Sequence, residues 1–216
     1  MLTSAPTKQG AGITLYGDYF DLEALHATTH KIATEGFMEE RAREFLLSLA
    51  YDIRTAKERK REERKFGMAD SKVKYCGVRI LWPHFLPQLA MLRHYAGYRN
   101  TDHRDQACLY LLEDCAITSL LAFDAKVGSE AAKLLLNFPP FSNDYIFEFC
   151  TASARKYVFA STGQKRFKNL PQTLRAMYWF SPEYKAFSVE METAAKEKNC
   201  TPHDLHQVAE WPNFRW

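Results

Sequence analysis

The sequence predicts a mainly α-helical protein of the α+β class, in which a small N-terminal β-sheet accompanies helices packed around a central buried helix near residues 103–124. Two observations favour this class. Through most of the chain, apolar residues recur every three or four positions, which is the spacing of one helix face. Two short segments, 13–16 and 73–82, instead have the alternating or β-branched character of strands.

Length and composition predict a single domain over residues 1–216. With 216 residues, of which 46% are hydrophobic, the chain can bury a substantial core. A subdivision into a strand-plus-helix core over 11–137 and a C-terminal helical part over 141–216 also fits the pattern of elements.

The predicted sheet starts near the N-terminus. Ile13 and Leu15 alternate with more polar neighbours until Gly17 interrupts the strand. The later segment 73–82 contains the β-branched and aromatic residues of another strand and is expected to pair with 13–16. We therefore expect a sheet of two or three strands.

Two helices are predicted between these strands. Asp21 is expected to be the N-cap of the first helix, which ends near Gly36, and the second helix starts near Glu39. This second helix leads into the charged run 57–65, KERKREERK, which mixes both signs. We interpret the run as a solvated helix end or an exposed loop.

The stretch 77–124 is predicted to organise the fold as a strand followed by two helices. The first helix ends at Gly97, and Thr101 or Asp102 caps the second. The second helix is apolar on two faces. We therefore expect other elements to enclose it on nearly every side over 107–123.

The C-terminal part is predicted as a series of helices followed by an aromatic tail. The predicted helices span 130–138 with Ser129 as the cap, 143–163, 171–180, 182–198 with Ser181 as the cap, and 201–210. Residues 164–170 are predicted as a polar loop. The tail 211–216, WPNFRW, is expected to dock on the body of the protein or on a partner.

Cysteine usage and hydropathy predict a soluble, cytoplasmic protein that does not enter a membrane. The cysteines are five in number and form no C-x-x-C pair, so we interpret them as reduced residues. No stretch approaches about eighteen consecutive apolar residues. The N-terminus has neither the apolar core of a signal peptide nor an Arg-rich amphipathic pattern.

Four blocks in the first half of the chain resemble a known group of sequences. They are LYGDYFDLEALH, LAYDIR, ILWPHFLPQLAMLR and DQACLYLLE, all within residues 13–124. As a set, they resemble a bacterial family catalogued only as a domain of unknown function. The resemblance implies a bacterial, cytosolic protein, and it brings no activity, cofactor or catalytic residue with it.

His26 and His30 are the first candidates for chemistry. They stand four residues apart on a predicted helix, so both imidazoles point the same way and could coordinate a divalent metal. Asp18 and Asp21 lie just upstream and could complete such a site. However, His26 also falls on the apolar stripe of the helix, where a hydrogen-bonded core histidine is the commoner finding.

A second group of histidines, His84, His94 and His103, lies near the ends of the 77–124 hairpin. A pocket at that end could hold a general base. No candidate nucleophile stands at a recognisable spacing from these histidines, so the sequence identifies no catalytic residue.

Charge is segregated in the second half of the chain. Residues 102–150 contain eight acids and three bases, whereas residues 151–182 contain six bases and no acid. The six bases are Arg155, Lys156, Lys165, Arg166, Lys168 and Arg175. Aromatic residues are interleaved with them, and this mixture is typical of a surface that contacts phosphates and stacks on bases. The segment 155–175 is therefore a candidate binding site for nucleic acid or another polyanion.

These patterns leave three functions open. Because no catalytic or cofactor motif is present, a non-enzymatic module that binds another protein or a second copy of itself is the leading prediction. The alternatives are a nucleic-acid or polyanion binder that uses 155–175 and a metal-assisted hydrolase that uses His26 and His30. No cofactor is predicted.

Overall fold

The structure is a computed structural model that describes residues 1–59, 61–66, 73–138, 145–178, 180–202, 205, 211 and 213–216. The predicted class is confirmed, because the chain is mainly helical and has a small antiparallel sheet near its N-terminus. The strands are β1 Thr3–Pro6, β2 Gly12–Gly17, β3 Glu62–Phe66 and β4 Val73–Leu81. The helices are α1 Tyr19–Thr34, α2 Glu40–Lys57, α3 Trp82–Ala96, α4 His103–Phe123, α5 Ala125–Leu136, α6 Ile146–Ala160, α7 Gly163–Lys168, α8 Leu170–Ala176 and α9 Pro182–Lys198.

The sheet has the strand order β1-β2-β4-β3, and every neighbouring pair is antiparallel. The predicted pairing of 13–16 with 73–82 is confirmed, since Ile13 lies opposite Ile80 in the β2–β4 ladder. A glycine is required at position 12 because a Cβ there would lie 1.9 Å from the carbonyl oxygen of Ile80.

Two strands were not expected from the sequence. β1 extends the sheet on one side, and β3 lies within the charged run that was predicted to be a helix end or loop. Ion pairs across the β3–β4 ladder explain why charged residues form a strand here. Glu63 is 2.7 Å from Lys74 and Glu62 is 3.0 Å from Arg79. In the register, Glu63 faces Cys76 and Glu62 faces Gly77, so each ion pair joins diagonal neighbours. Opposite charges at such positions favour strand pairing.

Most helix boundaries agree with the capping signals. Asp102 caps α4, and Ser181 caps α9 by accepting a hydrogen bond from the backbone N–H of Tyr184. α1 begins earlier than predicted, since Asp18 is its N-cap and Asp21 is the third residue of the helix. Their side chains each accept a bond from the other's backbone N–H, which makes a capping box.

Two helices in the second half differ from the prediction. α5 starts at Ala125, because the Asp124 side chain accepts hydrogen bonds from the next turn and replaces the expected cap Ser129. The segment predicted as a polar loop contains α7, whose Phe167 is fully buried. Most of the predicted helix over 201–210 and the start of the one over 143–163 lie outside the described residues.

The expectation that other elements enclose α4 on nearly every side is wrong, because α4 is only partly buried and α3 is the more fully enclosed helix. α3 contacts the strands β2 and β4 and the helices α1, α2, α4, α5, α6 and α8. Its buried residues occur all round its circumference, from Trp82 and Phe85 to Leu92 and Ala96. α4 instead buries one side against β1, α5, α1 and α3, and it exposes the other.

α4 is, by length and composition, the one described helix that could cross a membrane. A single helix of this kind is weak evidence for a membrane span, since a core helix of a soluble protein passes the same test. The buried side of α4 packs on the sheet, where Ser4 of β1 donates a hydrogen bond to the Cys115 carbonyl and accepts one from Ser119.

The described part of the C-terminal tail docks on the body, as predicted. Phe214 and Trp216 pack against the core, and the Trp216 carbonyl accepts a hydrogen bond from the backbone N–H of Gln9 at 3.1 Å. The cysteines are all free thiols, and four of the five are buried.

Candidate functional site

The exposed side of α4 is the first candidate surface. Nine residues of the helix are exposed, of which His103 and Arg104 lie in its first turn. The other seven, which we call the α4 outer face, are Ala107, Tyr110, Leu111, Asp114, Thr118, Leu121 and Ala122. They recur every three or four positions and so form one stripe along the helix. Asp114 is the single charged residue among the seven. Solvent-facing stripes of ordinary surface helices are mostly charged or polar, so this composition is unusual.

The α4 outer face is nearly symmetric about its midpoint at Ala116. Each residue of the α4 outer face before the midpoint has an exposed counterpart the same number of residues after it. The pairs related in this way are Leu111 with Leu121, Tyr110 with Ala122, Asp114 with Thr118, and Ala107 with Ala125 at the start of α5. Two copies of such a stripe can pair antiparallel around a two-fold axis and place leucine against leucine.

Charges at the two ends of α4 are complementary. Arg104 is exposed in the first turn of the helix. At the other end lie the last carbonyl groups of the helix and the carboxylate of Asp124. The C-terminus of a helix carries partial negative charge. An antiparallel partner would therefore bring Arg104 close to the negative end of the facing α4.

A cavity between α6, α8 and α9 is the second candidate site. It has a volume of about 570 Å³. Aromatic residues and alanines make up half of its lining residues, and exposed charged groups stand at its rim. The lining includes Phe149, Ala152, Ser153, Lys156, Tyr157, Gln172, Ala176, Glu183, Ala186, Phe187 and Glu190.

A polar groove where α2, α3 and α6 meet is the third candidate site. It contains the side chains of Asp52, His84 and Arg155, and an ion pair between Arg41 and Glu148 crosses it. The indole of Trp211 in the tail lies over it. The Trp211 ring centroid is 5.7 Å from that of His84 and 5.6 Å from the Arg155 guanidinium carbon.

His84 is the one member of the predicted group His84, His94 and His103 that lines this groove. Burial, together with the positive charge of Arg155, lowers the pKa of His84 from 6.5 to about 4. The imidazole is therefore neutral at pH 7. Its Nε2 is buried and makes no hydrogen bond with a described residue. A weak base enclosed in this way is poorly suited to general-base catalysis near neutral pH.

Arg166, one of the six bases predicted to bind a polyanion, is buried and 1% exposed. Its guanidinium donates hydrogen bonds to the carbonyls of Ser161, Gln9, Arg215 and Val158 at 2.6–3.2 Å. The side chain thus joins the end of α6 to the N-terminal loop and the C-terminal tail. This structure leaves Arg166 unavailable to a phosphate, so its observed role is to hold three segments together.

The other five bases lie in four different settings. Arg155 faces the polar groove, and Lys156 lines the cavity. The guanidinium of Arg175 is 2.5 Å from the carboxylate of Glu130 on α5. Lys165 and Lys168 are exposed on α7. The six bases therefore share a segment of sequence without forming one continuous patch.

His26 and His30 lie on α1 with their ring centroids 5.9 Å apart, as their spacing predicts. Burial and the nearby cation Lys57 lower the pKa of His26. Among the described residues, these two are not joined by a third histidine, cysteine or carboxylate that would complete a metal-binding group. Lys57 beside His26 is itself paired with the carboxylate of Glu23.

Sequence reasoning missed the cavity and the α4 outer face for different reasons. The cavity combines residues from three helices, and single-sequence spacing does not show which helices meet. For the α4 outer face, the high apolar content of the helix predicts enclosure on nearly every side. The charged residue Asp114, in the middle of this face, is the signal in the sequence that indicates exposure.

Comparison with known sequences identifies a family without a known function. A sequence model described as "Domain of unknown function (DUF6904)" matches residues 2–216. No curated protein and no solved structure matches the chain. The function must therefore be inferred from the surfaces described above.

Proposed function

The chain belongs to the DUF6904 family, and we propose that it is a non-enzymatic self-association module that pairs through α4. The observation that carries this proposal is the α4 outer face, an exposed stripe of seven residues with a single charge. Leu121 is 41% exposed and Tyr110 is 58% exposed, so water covers apolar side chains that a second copy would shield.

The second copy is the partner that best fits the symmetry of the stripe. A two-fold interface uses the same patch on both subunits, so the patch must be complementary to itself. Antiparallel pairing about Ala116 satisfies this condition. It sets Leu111 against Leu121 of the partner subunit and gives the Asp114 carboxylate a hydroxyl partner, that of Thr118, across the interface.

A lipid bilayer fits the same helix less well. Glu113 and Asp114 lie at the middle of α4, where a bilayer would place its hydrocarbon core. Ionised side chains at that depth are costly. Glu113 is also close to Arg93 of α3, with an N···O distance of 3.8 Å, so the helix is tied to the body of the protein at this point.

Sedimentation equilibrium of the full chain tests the proposal. We expect a dimer for the natural sequence and a monomer for Leu111→Glu combined with Leu121→Glu, because each change buries a charge in the pair. The matched control replaces two exposed apolar residues elsewhere, Leu136→Glu on α5 and Val189→Glu on α9, and should stay dimeric. A monomeric natural protein, or a dimer that the double α4 variant does not dissociate, would contradict the proposal.

We further propose that the protein works in the cytoplasm of a bacterium. Its free cysteines support a reducing compartment, since paired cysteines prevail in oxidising ones. The resemblance of its first half to a bacterial family supports the bacterial source. Fractionation of producing cells should recover the chain with the soluble cytoplasmic proteins, and recovery in the membrane pellet would contradict this proposal.

A further inference from the structure

We propose that the cavity between α6, α8 and α9 binds an organic ammonium ion with an apolar body. The cavity volume of about 570 Å³ lies within the size range of small-molecule sites. The site lies on helices other than α4, so this proposal does not depend on self-association.

The walls of the cavity suit an apolar ligand body. Phe149, Tyr157 and Phe187 contribute aromatic rings, and Phe149 and Phe187 pack with their ring centroids 5.0 Å apart. Ala152 and Ala186 line the space between the helices, where larger side chains would fill it. Aromatic ring faces also attract cations, and this attraction is strongest where water is excluded.

The rim of the cavity favours a positively charged ligand over a negatively charged one. Two carboxylates, Glu183 and Glu190, and one cation, Lys156, are among the lining residues, which leaves an excess of one negative charge. Glu183 accepts a hydrogen bond from Gln172 at 3.2 Å. The Glu190 side chain makes no hydrogen bond or ion pair with another described residue, so it can accept one from a ligand N–H.

Ser153 provides a polar group inside the cavity. The residue is 8% exposed and is among the residues that line the cavity. Its hydroxyl can donate or accept a hydrogen bond with the polar end of a ligand.

Calorimetric titration of the full chain with three probes of similar length tests the charge preference. The probes are 4-phenylbutylamine, 4-phenylbutanol and 4-phenylbutyrate, which carry a positive, neutral and negative end. We expect the amine to bind about tenfold more tightly than the carboxylate, a difference of about 1.4 kcal/mol, with the alcohol between them. Equal affinities for the three probes, or no binding of the amine, would overturn the proposal.

Variants locate the binding site. Ala152→Trp fills the cavity and should abolish binding of the amine, whereas Ala27→Trp at an exposed site of α1 should leave it unchanged. Ala176→Phe is a second, smaller plug that should also abolish binding if Ala152→Trp fails to fold. Glu190→Gln should weaken binding of the amine about fivefold without changing binding of the alcohol. Full-strength binding by a folded plug variant would place the ligand elsewhere and overturn the proposal.

Discussion

α3 and α4 come from one apolar stretch of sequence, yet they meet very different surroundings. α3 is covered by two strands and by helices from both halves of the chain, and Leu86 and Leu89 on it are fully buried. α4 is covered on one side, and Leu121 on its other side is 41% exposed. The apolar content of a helix therefore does not determine how many neighbours it has. Surplus apolar residues on a half-covered helix indicate a surface available to a partner.

Truncating one leucine on each helix should give the largest difference in stability between α3 and α4. Leu89→Ala leaves a cavity in the middle of the core, so we expect it to lower the free energy of unfolding by roughly 3–5 kcal/mol. Leu121→Ala removes the same atoms from an open surface and should change that free energy by less than about 0.5 kcal/mol. Urea unfolding at low protein concentration, where association is weak, measures both. Equal losses would show that α4 is covered as fully as α3.

Two neighbouring cations on α7 repeat the contrast between covered and open surface. Arg166→Met should lower the free energy of unfolding by about 3 kcal/mol, because carbonyls in three chain segments lose a charged hydrogen-bond donor. Lys165→Met removes an exposed charge and should cost less than about 0.5 kcal/mol. Thermal unfolding followed by circular dichroism compares the two. If Arg166→Met were as stable as Lys165→Met, the buried guanidinium would not hold the N-terminal loop and the tail together.

A pH titration tests how closely α3 is covered at His84. The pKa of His84 is about 4 in the folded protein and near 6.5 when exposed, so the unfolded chain takes up the proton first. Stability is therefore highest above pH 6.5 and falls as the pH drops towards 4. Between pH 7 and pH 5 the free energy of unfolding should fall by about 2 kcal/mol from this group alone. His84→Gln should remove this part of the pH dependence, and an unchanged profile in that variant would contradict the burial of His84.

The smallest effect on stability is expected at the middle of the α4 outer face. Thr118→Glu changes a side chain exposed to water, so the unfolding free energy of the monomer should move by less than about 0.5 kcal/mol. Its effect should instead appear in association, because the new carboxylate would face Asp114 of the partner subunit. Comparing unfolding with sedimentation for this variant separates the two properties. A large loss of monomer stability would mean that another part of the same chain covers this face.

The sequence predicts the elements that depend on local chemistry and fails where long-range pairing decides. Asp102 and Ser181 mark helix starts because a cap needs only the next turn of backbone. The sequence does not predict β3, because its residues, Glu62 to Phe66, lack an apolar alternation. Ion pairs to a strand elsewhere in the sequence hold them in place. The run of bases over 155–175 was visible as a charge count, but only the fold shows that Arg166 points inward.

The candidate sites show the same difference between features set by local spacing and features set by long-range packing. The spacing of His26 and His30 correctly predicts that the two rings lie on one side of α1. It does not show that Lys57 approaches from α2. The cavity was beyond prediction, since Ser153 and Glu190 come together only through the packing of α6 against α8 and α9.

Cysteine cross-linking between two variants tests the central claim most directly. Asp114→Cys and Thr118→Cys proteins are mixed and oxidised under native conditions, with the natural sequence as the control for its own five cysteines. Antiparallel pairing about Ala116 predicts a disulfide-linked heterodimer between positions 114 and 118, in greater yield than either variant gives alone. A yield no higher than that of the natural protein, or linkage between identical positions, would contradict pairing through the α4 outer face.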